Sequence, residues 1–385
     1  MKKRDIISSK PVKINSNSES FKKFIRKHPE LVAIDEYKNQ LEELLELRNP
    51  RFKFQRHTKK DFEDFVSKLI REKDLKHHGH WFYFPWSNQL IHYLPEDLHY
   101  ELRTARNKFL ITNEEQRKYY NSTIGIFGMS VGSHVALTIA MTGGAKNIKL
   151  ADLDAISGSN LNRIRAGFGQ LGVNKAISVA RQIIEINPYA NIKLYSKGVS
   201  DKNIDEIILG NPKSDLIIEE MDNPYFKLKT RYIARENKIP VIMAADNGDG
   251  IIADIERYDI DKNPPILHGI LGGMSPRDVK NIEPKKLPSI IAKIAGADKA
   301  HLRMLESVLQ VGKTIYSWPQ LGTAATMCGT VLTYLARNII IKNPKFKSGR
   351  YDLNPDQIFE YEHHLPANAQ KRDKERKKLL RMFGS

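Results

Sequence analysis

The stretch Thr123-Ile124-Gly125-Ile126-Phe127-Gly128-Met129-Ser130-Val131-Gly132-Ser133 decides the fold. Its first six residues are a short apolar run ending in glycine, the pattern of a buried strand. Residues 133–143 (SHVALTIAMTG) carry apolar positions at helical spacing, and 147–154 (NIKLADLD) are a second strand. Downstream the alternation continues. KAISVARQIIEI (175–186) is a helix that stops at Asn187-Pro188, as helices do before proline. NIKLYS (191–196), DLIIEEMD (215–222) and PVIMAAD (240–246) are further strands, with a helix over 227–238 between the last two. Strands alternating with helices predict an α/β fold, a Rossmann-like doubly wound and mainly parallel sheet. Residues 254–315 give a loop-like stretch and then an interrupted helical pattern, and 321–341 are an apolar helix.

Upstream, residues 1–20 are polar and loose by composition. Residues 21–115 form a mainly helical N-terminal region, on the spacing of segments such as EYKNQLEELLELR and KDFEDFVSKLIREK. It carries the aromatic run His80-Trp81-Phe82-Tyr83-Phe84-Pro85-Trp86, expected as the packing face toward the main domain. The main domain is placed at 116–345 and a basic, solvated tail at 346–385.

Composition narrows the function. The chain has 385 residues, 41% of them hydrophobic, which argues against global disorder. A formal net charge of +17 is compatible with acidic partners, namely nucleotides, RNA, an anionic membrane or an acidic protein, and equally with an ordinary lysine-rich surface. The single cysteine, Cys328, excludes an intrachain disulfide and a cysteine-rich zinc site. It lies among small apolar residues at helical spacing and is expected in the core. The start, MKKRDIISSK, lacks an apolar segment behind its charges, so no signal peptide is expected. Ser317–Ala336 is uncharged but contains Pro319, Gln320 and Gly322, which suits a buried helix better than a membrane span. A cytoplasmic protein without membrane contact is the expectation. His57, His77, His78 and His80 lack metal-ligand spacing and are expected as a solvated or packed cluster.

The loop Gly128–Gly132 supports two chemistries. Glycines between a strand and a helix let backbone N–H groups approach phosphates at the helix N-terminus. The same G-x-S-x-G spacing is a nucleophile elbow, with Ser130 as nucleophile and His268, His363 or His364 as base. Asp152 ends the second strand roughly twenty residues on, where nucleotide folds place a carboxylate on the ribose. That favours a nucleotide.

Next comes Asp152-Leu153-Asp154-Ala155-Ile156-Ser157-Gly158-Ser159-Asn160-Leu161-Asn162-Arg163, then Gly172-Val173-Asn174-Lys175, Ile186-Asn187-Pro188 and Met221-Asp222-Asn223. In this order the segments resemble the signature of the ThiF/MoeB/HesA family of ubiquitin-activating-enzyme-like adenylyltransferases, over roughly residues 100–340. The resemblance implies ATP and Mg²⁺, and adenylation of a carboxylate with release of pyrophosphate. It implies a nucleotide site of Gly128, Ser130, Gly132, Asp152, Asp154, Asn160, Arg163, Lys175, Asp222 and Asn223. Asp152 would hold the ribose, Asn160, Arg163 and Lys175 the phosphates, and Asp222 the Mg²⁺; Asp154 alternatively only caps its turn. Arginine and lysine neutralise oxyanions on phosphorus, and a hard cation prefers carboxylate and phosphate oxygens. In ELRTARNKFLIT, Arg103 or Arg106 would reach the partner subunit's site, which implies a homodimer and a catalytic part for Arg106.

The departures matter as well. Ser130 stands where the family has a glycine, and Met221 where it has threonine. Zinc-binding cysteine pairs and a mobile-loop cysteine are missing, so no structural zinc and no thioester step are expected. The segments 80–108 and 160–176 resemble a bacterial branch sometimes fused to a nitroreductase-like domain. Substrate candidates are the C-terminus of a small ubiquitin-like protein, a peptide or small molecule, and modified tRNA, as in the family's tRNA-modifying dehydratases. Positive charge suits tRNA.

Overall fold

A computed structural model describes residues 9–14, 18–70, 75–261, 263–283, 286–355 and 366–382. The chain divides into two units: residues 1–117 with 141–143 and 181–190, and the remainder.

The first unit holds four strands, β1 (Val12–Ile14), β2 (Val32–Ile34), β3 (His80–Phe84) and β4 (Gln89–Tyr93), in the order β1-β3-β4-β2. β1 and β4 run antiparallel to β3, and β2 runs parallel to β4. Its helices are α1 (Ser18–Lys27), α2 (Tyr37–Arg48), α3 (Lys59–Leu69) and α4 (Glu96–Thr104). Thr58 and Asp61 close α3 with a reciprocal capping box. Leu41, Leu44, Ile70, Leu94 and Leu98 form one core and Ile14, Trp81 and Leu90 another. The sheet is a finding that helical periodicity did not anticipate. The aromatic run expected as a packing face is the strand β3, with Trp81, Phe82 and Phe84 buried inside this unit. β1 and β2 are three residues each, too short for a period to show. The histidines pack with aromatic neighbours. His92 stacks between Tyr37 and Trp81 at 4.0 and 4.3 Å and its Nδ1 meets Asp35 at 2.9 Å. His78 bonds the Tyr37 hydroxyl, and His80 lies 2.9 Å from that of Tyr189.

The second unit is built on a seven-stranded sheet of β5 (Thr123–Phe127), β6 (Asn147–Ala151), β7 (Asn191–Tyr195), β8 (Leu216–Glu219), β9 (Val241–Asn247), β10 (Gly250–Glu256) and β11 (Gly349–Leu353). The order is β11-β10-β9-β8-β5-β6-β7, parallel from β9 to β7 and antiparallel at β10 and β11. The expected α/β, doubly wound, mainly parallel sheet is therefore present. Further helices are α5 (Asn113–Asn121), α6 (Val131–Met141), α7 (Lys175–Ile186), α8 (Ile204–Leu209) and α9 (Pro224–Glu236). After the sheet's hairpin come α10 (Pro276–Lys280), α11 (Leu287–Ala295), α12 (Leu302–Val308), α13 (Gly322–Ile340) and α14 (Pro366–Met382).

β5 is completely buried, as its unbroken apolar run requires. The chain leaves it toward β6 and β7 on one side and toward β8 and β9 on the other. That makes β5 the topological switch point, where ligands of doubly wound sheets bind beyond the carboxyl ends.

Two boundaries differ from expectation. Residues 346–385 are not a solvated tail throughout: β11 pairs with β10, and Leu379 of α14 packs against Ala292, Leu305 and Val308. Two leucines within the lysine run suffice to dock one face of that helix. The unit boundary also falls at residue 117, and residues 181–190 return to the first unit. Of the segment called loose, residues 1–8 and 15–17 lie outside the described residues, as do 356–365 and 383–385 of the tail. Among the described residues no helix is long and apolar enough to cross a membrane.

Candidate active site

The carboxyl ends of β5, β6, β8 and β9 carry the candidate groups. Gly128 follows β5 at φ +90°, and a Cβ there would lie 2.4 Å from the carbonyl oxygen of Glu220. Only glycine lets the loop cross so close to the end of β8. The Met129 N–H donates to Asp152 Oδ2 at 2.6 Å, and the Asp154 N–H to Oδ1 at 2.8 Å. Asp152 thus joins the glycine loop to the end of β6. Burial raises its carboxyl above the ordinary value, opposed by those two hydrogen bonds and by Lys175.

Asn174, quoted in the Gly172–Lys175 motif without a role, is a structural member of the site. Its Nδ2 donates to the carbonyls of Asp152 (3.0 Å), Asp154 (3.2 Å) and Ser196 (3.2 Å). Its Oδ1 accepts from the Ile177 N–H at 3.2 Å, an N-cap for α7. An asparagine one residue before a helical run was the available signal. Lys175 Nζ pairs with Asp154 Oδ2 at 2.9 Å, with 11% of the lysine side chain exposed. The Asp154 carboxylate therefore faces a lysine; it does not cap its own turn.

Between β6 and α7, Asn160 Oδ1 accepts from the Ser157 N–H at 3.1 Å, which leaves the amide N–H group outside that cap. Arg163 Nη1 donates to Ser159 O (3.2 Å) and Asn162 Oδ1 (3.0 Å). Its Nε is buried with no hydrogen-bond partner among the described residues. Desolvation lowers the guanidinium's pKa, and the charges of Asp246 and Asp222 raise it. A half-buried arginine under the charge of two carboxylates, with one buried donor unused, is able to take an anion as a further partner.

Asp222 is exposed after β8, and Asn223 caps α9 by accepting from Tyr225 N at 2.9 Å and Phe226 N at 3.4 Å. The cap engages the Asn223 oxygen, so an interaction with nucleotide would fall to its amide N–H group. Asp246 is the penultimate residue of β9, a site member that the motifs did not include. Gln320 donates to its Oδ2 at 3.1 Å, and Cys328 Sγ lies 3.5 Å from its Oδ1. Burial raises the Asp246 carboxyl, and burial first, then Asp246, pushes the Cys328 thiol well up. Cys328 is fully buried on α13, as expected, although its thiol faces a carboxylate and not a purely apolar wall.

Ser130 Oγ is buried without a hydrogen-bond partner among the described residues, so no described histidine activates it. His268 is instead 3.1 Å from Asp254, and His363 and His364 lie outside the described residues. Arg103 is on α4 and Arg106 is exposed on the turn Ala105–Asn107, both in the first unit. Among the described residues no group of His, Cys, Asp and Glu side chains is arranged to hold a metal ion by itself. An Mg²⁺ that takes most of its ligands from phosphate and water needs only one or two carboxylates, which Asp222 and Asp246 fit.

Comparison with known proteins agrees with this reading of the motifs. An uncharacterized protein of Mycobacterium tuberculosis, MT1398, is 33% identical over 290 residues, covering 74% of this chain and 39% of its own length. A probable molybdopterin-synthase adenylyltransferase of Porphyra purpurea is 28% identical over 243 residues, covering 60% of this chain and 56% of its own. The chain thus spans well under two thirds of either relative. Among solved structures, the E. coli tRNA N6-threonylcarbamoyladenosine dehydratase TcdA superposes with a TM-score of 0.45 and 18% identity, over 64% of this chain and 96% of that one. The ThiF family pattern matches residues 104–356, well over half of the sequence and the whole of the site just described, and the chain belongs to the ThiF family.

Proposed function

We propose that the chain binds MgATP at the carboxyl ends of β5, β6 and β8 and adenylates a carboxylate. The substrate's carboxylate oxygen attacks the α-phosphorus, the bond to the β-phosphate oxygen breaks, and pyrophosphate leaves. The observation that carries this reading is the half-buried Arg163, whose buried Nε is unpartnered among the described residues and whose guanidinium feels the charges of Asp246 and Asp222. It is a ready ligand for an oxyanion that develops on phosphorus. The Gly128–Gly132 loop admits the phosphates to backbone N–H groups and the Ser130 hydroxyl. The second lone pairs of Asp152 accept the ribose hydroxyls. Asn160 offers its amide, and Lys175 exchanges Asp154 for a phosphate oxygen. Mg²⁺, on Asp222, would screen the phosphate charge.

The same reading has no thioester. Cys328 is buried and its thiol is held far from ionisation by desolvation and Asp246, so the acyl-adenylate passes directly to another nucleophile. The acyl donor is the C-terminus of a small ubiquitin-like protein, a peptide or a small molecule. We also propose a cytoplasmic homodimer in which Arg106 serves the other subunit's nucleotide, and kinship with the branch sometimes fused to a nitroreductase-like domain. A tRNA-modifying dehydratase is the second reading. It is favoured by α14, where Lys371, Lys374, Lys378 and Arg381 are all exposed at intervals of three and four residues, on one helix face.

Calorimetric titration of ATP with and without Mg²⁺ tests the site. Asp222→Ala should remove most of the Mg²⁺-dependent part of the affinity while leaving the metal-free part. An unchanged Mg²⁺ dependence in this variant would overturn the assignment of Asp222.

A further inference from the structure

His134 lies on α6, less than one turn beyond Gly132, and is buried. Its ring joins two other segments of the same unit. Nε2 meets the backbone carbonyl of Arg163, and Nδ1 lies 3.1 Å from Arg165 Nε. A carbonyl only accepts and a guanidinium only donates, so Nε2 carries the proton and Nδ1 is the acceptor. The neutral ring fits both partners, and the imidazolium fits only one.

The third side is α13. A Cβ on Gly329 would lie 2.5 Å from His134 Cβ, and one on Gly322 would lie 2.5 Å from the Asn162 carbonyl oxygen. The helix presses on the ring's base and on the residue before Arg163. From this helix only the Thr326 hydroxyl faces the ring, 3.5 Å from Nδ1, and the charge that faces it is the Arg165 guanidinium. Arg163 itself is held at its guanidinium by one Nη1 shared between Ser159 O and Asn162 Oδ1. Its backbone is therefore fixed chiefly by the Asn160 turn and by His134.

We propose that His134 is the positioning residue for Arg163, clamping its carbonyl through the neutral Nε2–H form and so holding the guanidinium where nucleotide phosphate binds. This rests on the reading of Arg163 as a nucleotide ligand. Protonation puts an N–H on Nδ1 against the Arg165 N–H and breaks that side of the clamp, while Nε2–H still donates to the Arg163 carbonyl. Burial depresses the ring's pKa below 6.5 against the opposing bond to the Arg163 carbonyl, and the Arg165 charge adds to the depression. The ring is thus held on both sides at neutral pH, and acidification frees its Arg165 side and loosens the hold on the Arg163 segment.

The test is calorimetric titration of MgATP into the full chain, wild type, R163A, H134L and H134Q, from about pH 8 to about pH 5. At the upper pH, R163A should lose about tenfold or more in affinity, and H134L a comparable factor. H134Q, whose amide can still donate to the carbonyl, should stay within about threefold. On acidification the wild type should weaken more than H134Q, because only the imidazole titrates; the ionisation of ATP itself is common to both. If H134L binds as the wild type does, or if wild type and H134Q share one pH profile, the inference is overturned. Where H134L fails to fold, the profile of H134Q still decides. If the wild type does not bind ATP, or R163A binds equally well, it is the nucleotide reading beneath the inference that fails.

Discussion

Replacing Gly128 by alanine should damage both the fold and the site, and the cost can be divided. At φ +90° a side chain meets the left-handed penalty, about 1–2 kcal/mol. The new Cβ would also stand 2.4 Å from Glu220 O, 2.6 Å from Glu220 C and 3.0 Å from Met221 N. All three neighbours are backbone, so either the loop or the end of β8 must move by roughly 1 Å, an overpacking cost of about 1–3 kcal/mol. The expected destabilisation is about 3 kcal/mol in total. Gly172 is the control: its φ is +80° and a Cβ there meets nothing within 4 Å. Gly172→Ala should therefore lose only about 1–2 kcal/mol. Urea unfolding followed by circular dichroism gives both values. MgATP titration should show at least about a tenfold loss for Gly128→Ala, since the shifted loop carries Met129, Ser130 and the approach to Asp222. Equal stability of the two variants would refute the close crossing at Glu220.

Burial, and then the Arg103 charge, lowers His99 from 6.5 to about 4, and its Nε2 donates to the Ile186 carbonyl at 3.0 Å. Because the unfolded chain takes up the proton first, that stability is present above pH 6.5 and is lost as pH falls toward about 4, in all about 3 kcal/mol. His99→Gln should flatten the dependence measured by urea unfolding at several pH values, and an unaltered slope would refute it. Cys328→Ala should cost about 1 kcal/mol and keep full turnover with the cognate carboxylate; retained pyrophosphate exchange with lost turnover would make Cys328 catalytic. If α14 contacts tRNA phosphates, exchanging Lys371, Lys374 and Lys378 for glutamine should lower the salt slope of tRNA binding by about three in gel-shift titrations. No binding at low salt would assign the charge to another partner.

The parallel half of the sheet was legible because β5, β6 and β8 are apolar runs separated by helical periods and stopped by glycine, asparagine and proline. β10 was not. It is buried along its whole length, yet it contains Asp254 and Glu256. These charges look like surface in a sequence. In the fold, Glu256 accepts from Arg231 at 2.5 Å, and Asp254 lies 3.2 Å from Arg350 and 3.1 Å from His268. The cationic partners that make them tolerable come from other segments of the chain. β11 was hidden for a related reason, since an edge strand of GRYDL is stabilised by pairing and not by pattern. The site divides in the same way. Gly128, Asp152 and Arg163 stand in motifs, whereas Asp246 and His134 meet Gln320, Cys328 and the Arg163 carbonyl, groups distant in sequence that only tertiary packing brings near.

The central claim is that this Rossmann-like sheet takes MgATP for an adenylation reaction and not a dinucleotide. Direct competition between MgATP and NAD on the full chain, read by calorimetry, tests it. The account predicts saturable binding of MgATP, weakened about tenfold or more by Arg163→Ala, with NAD bound far more weakly. Preferential binding of NAD, unaffected by Arg163→Ala, would contradict it.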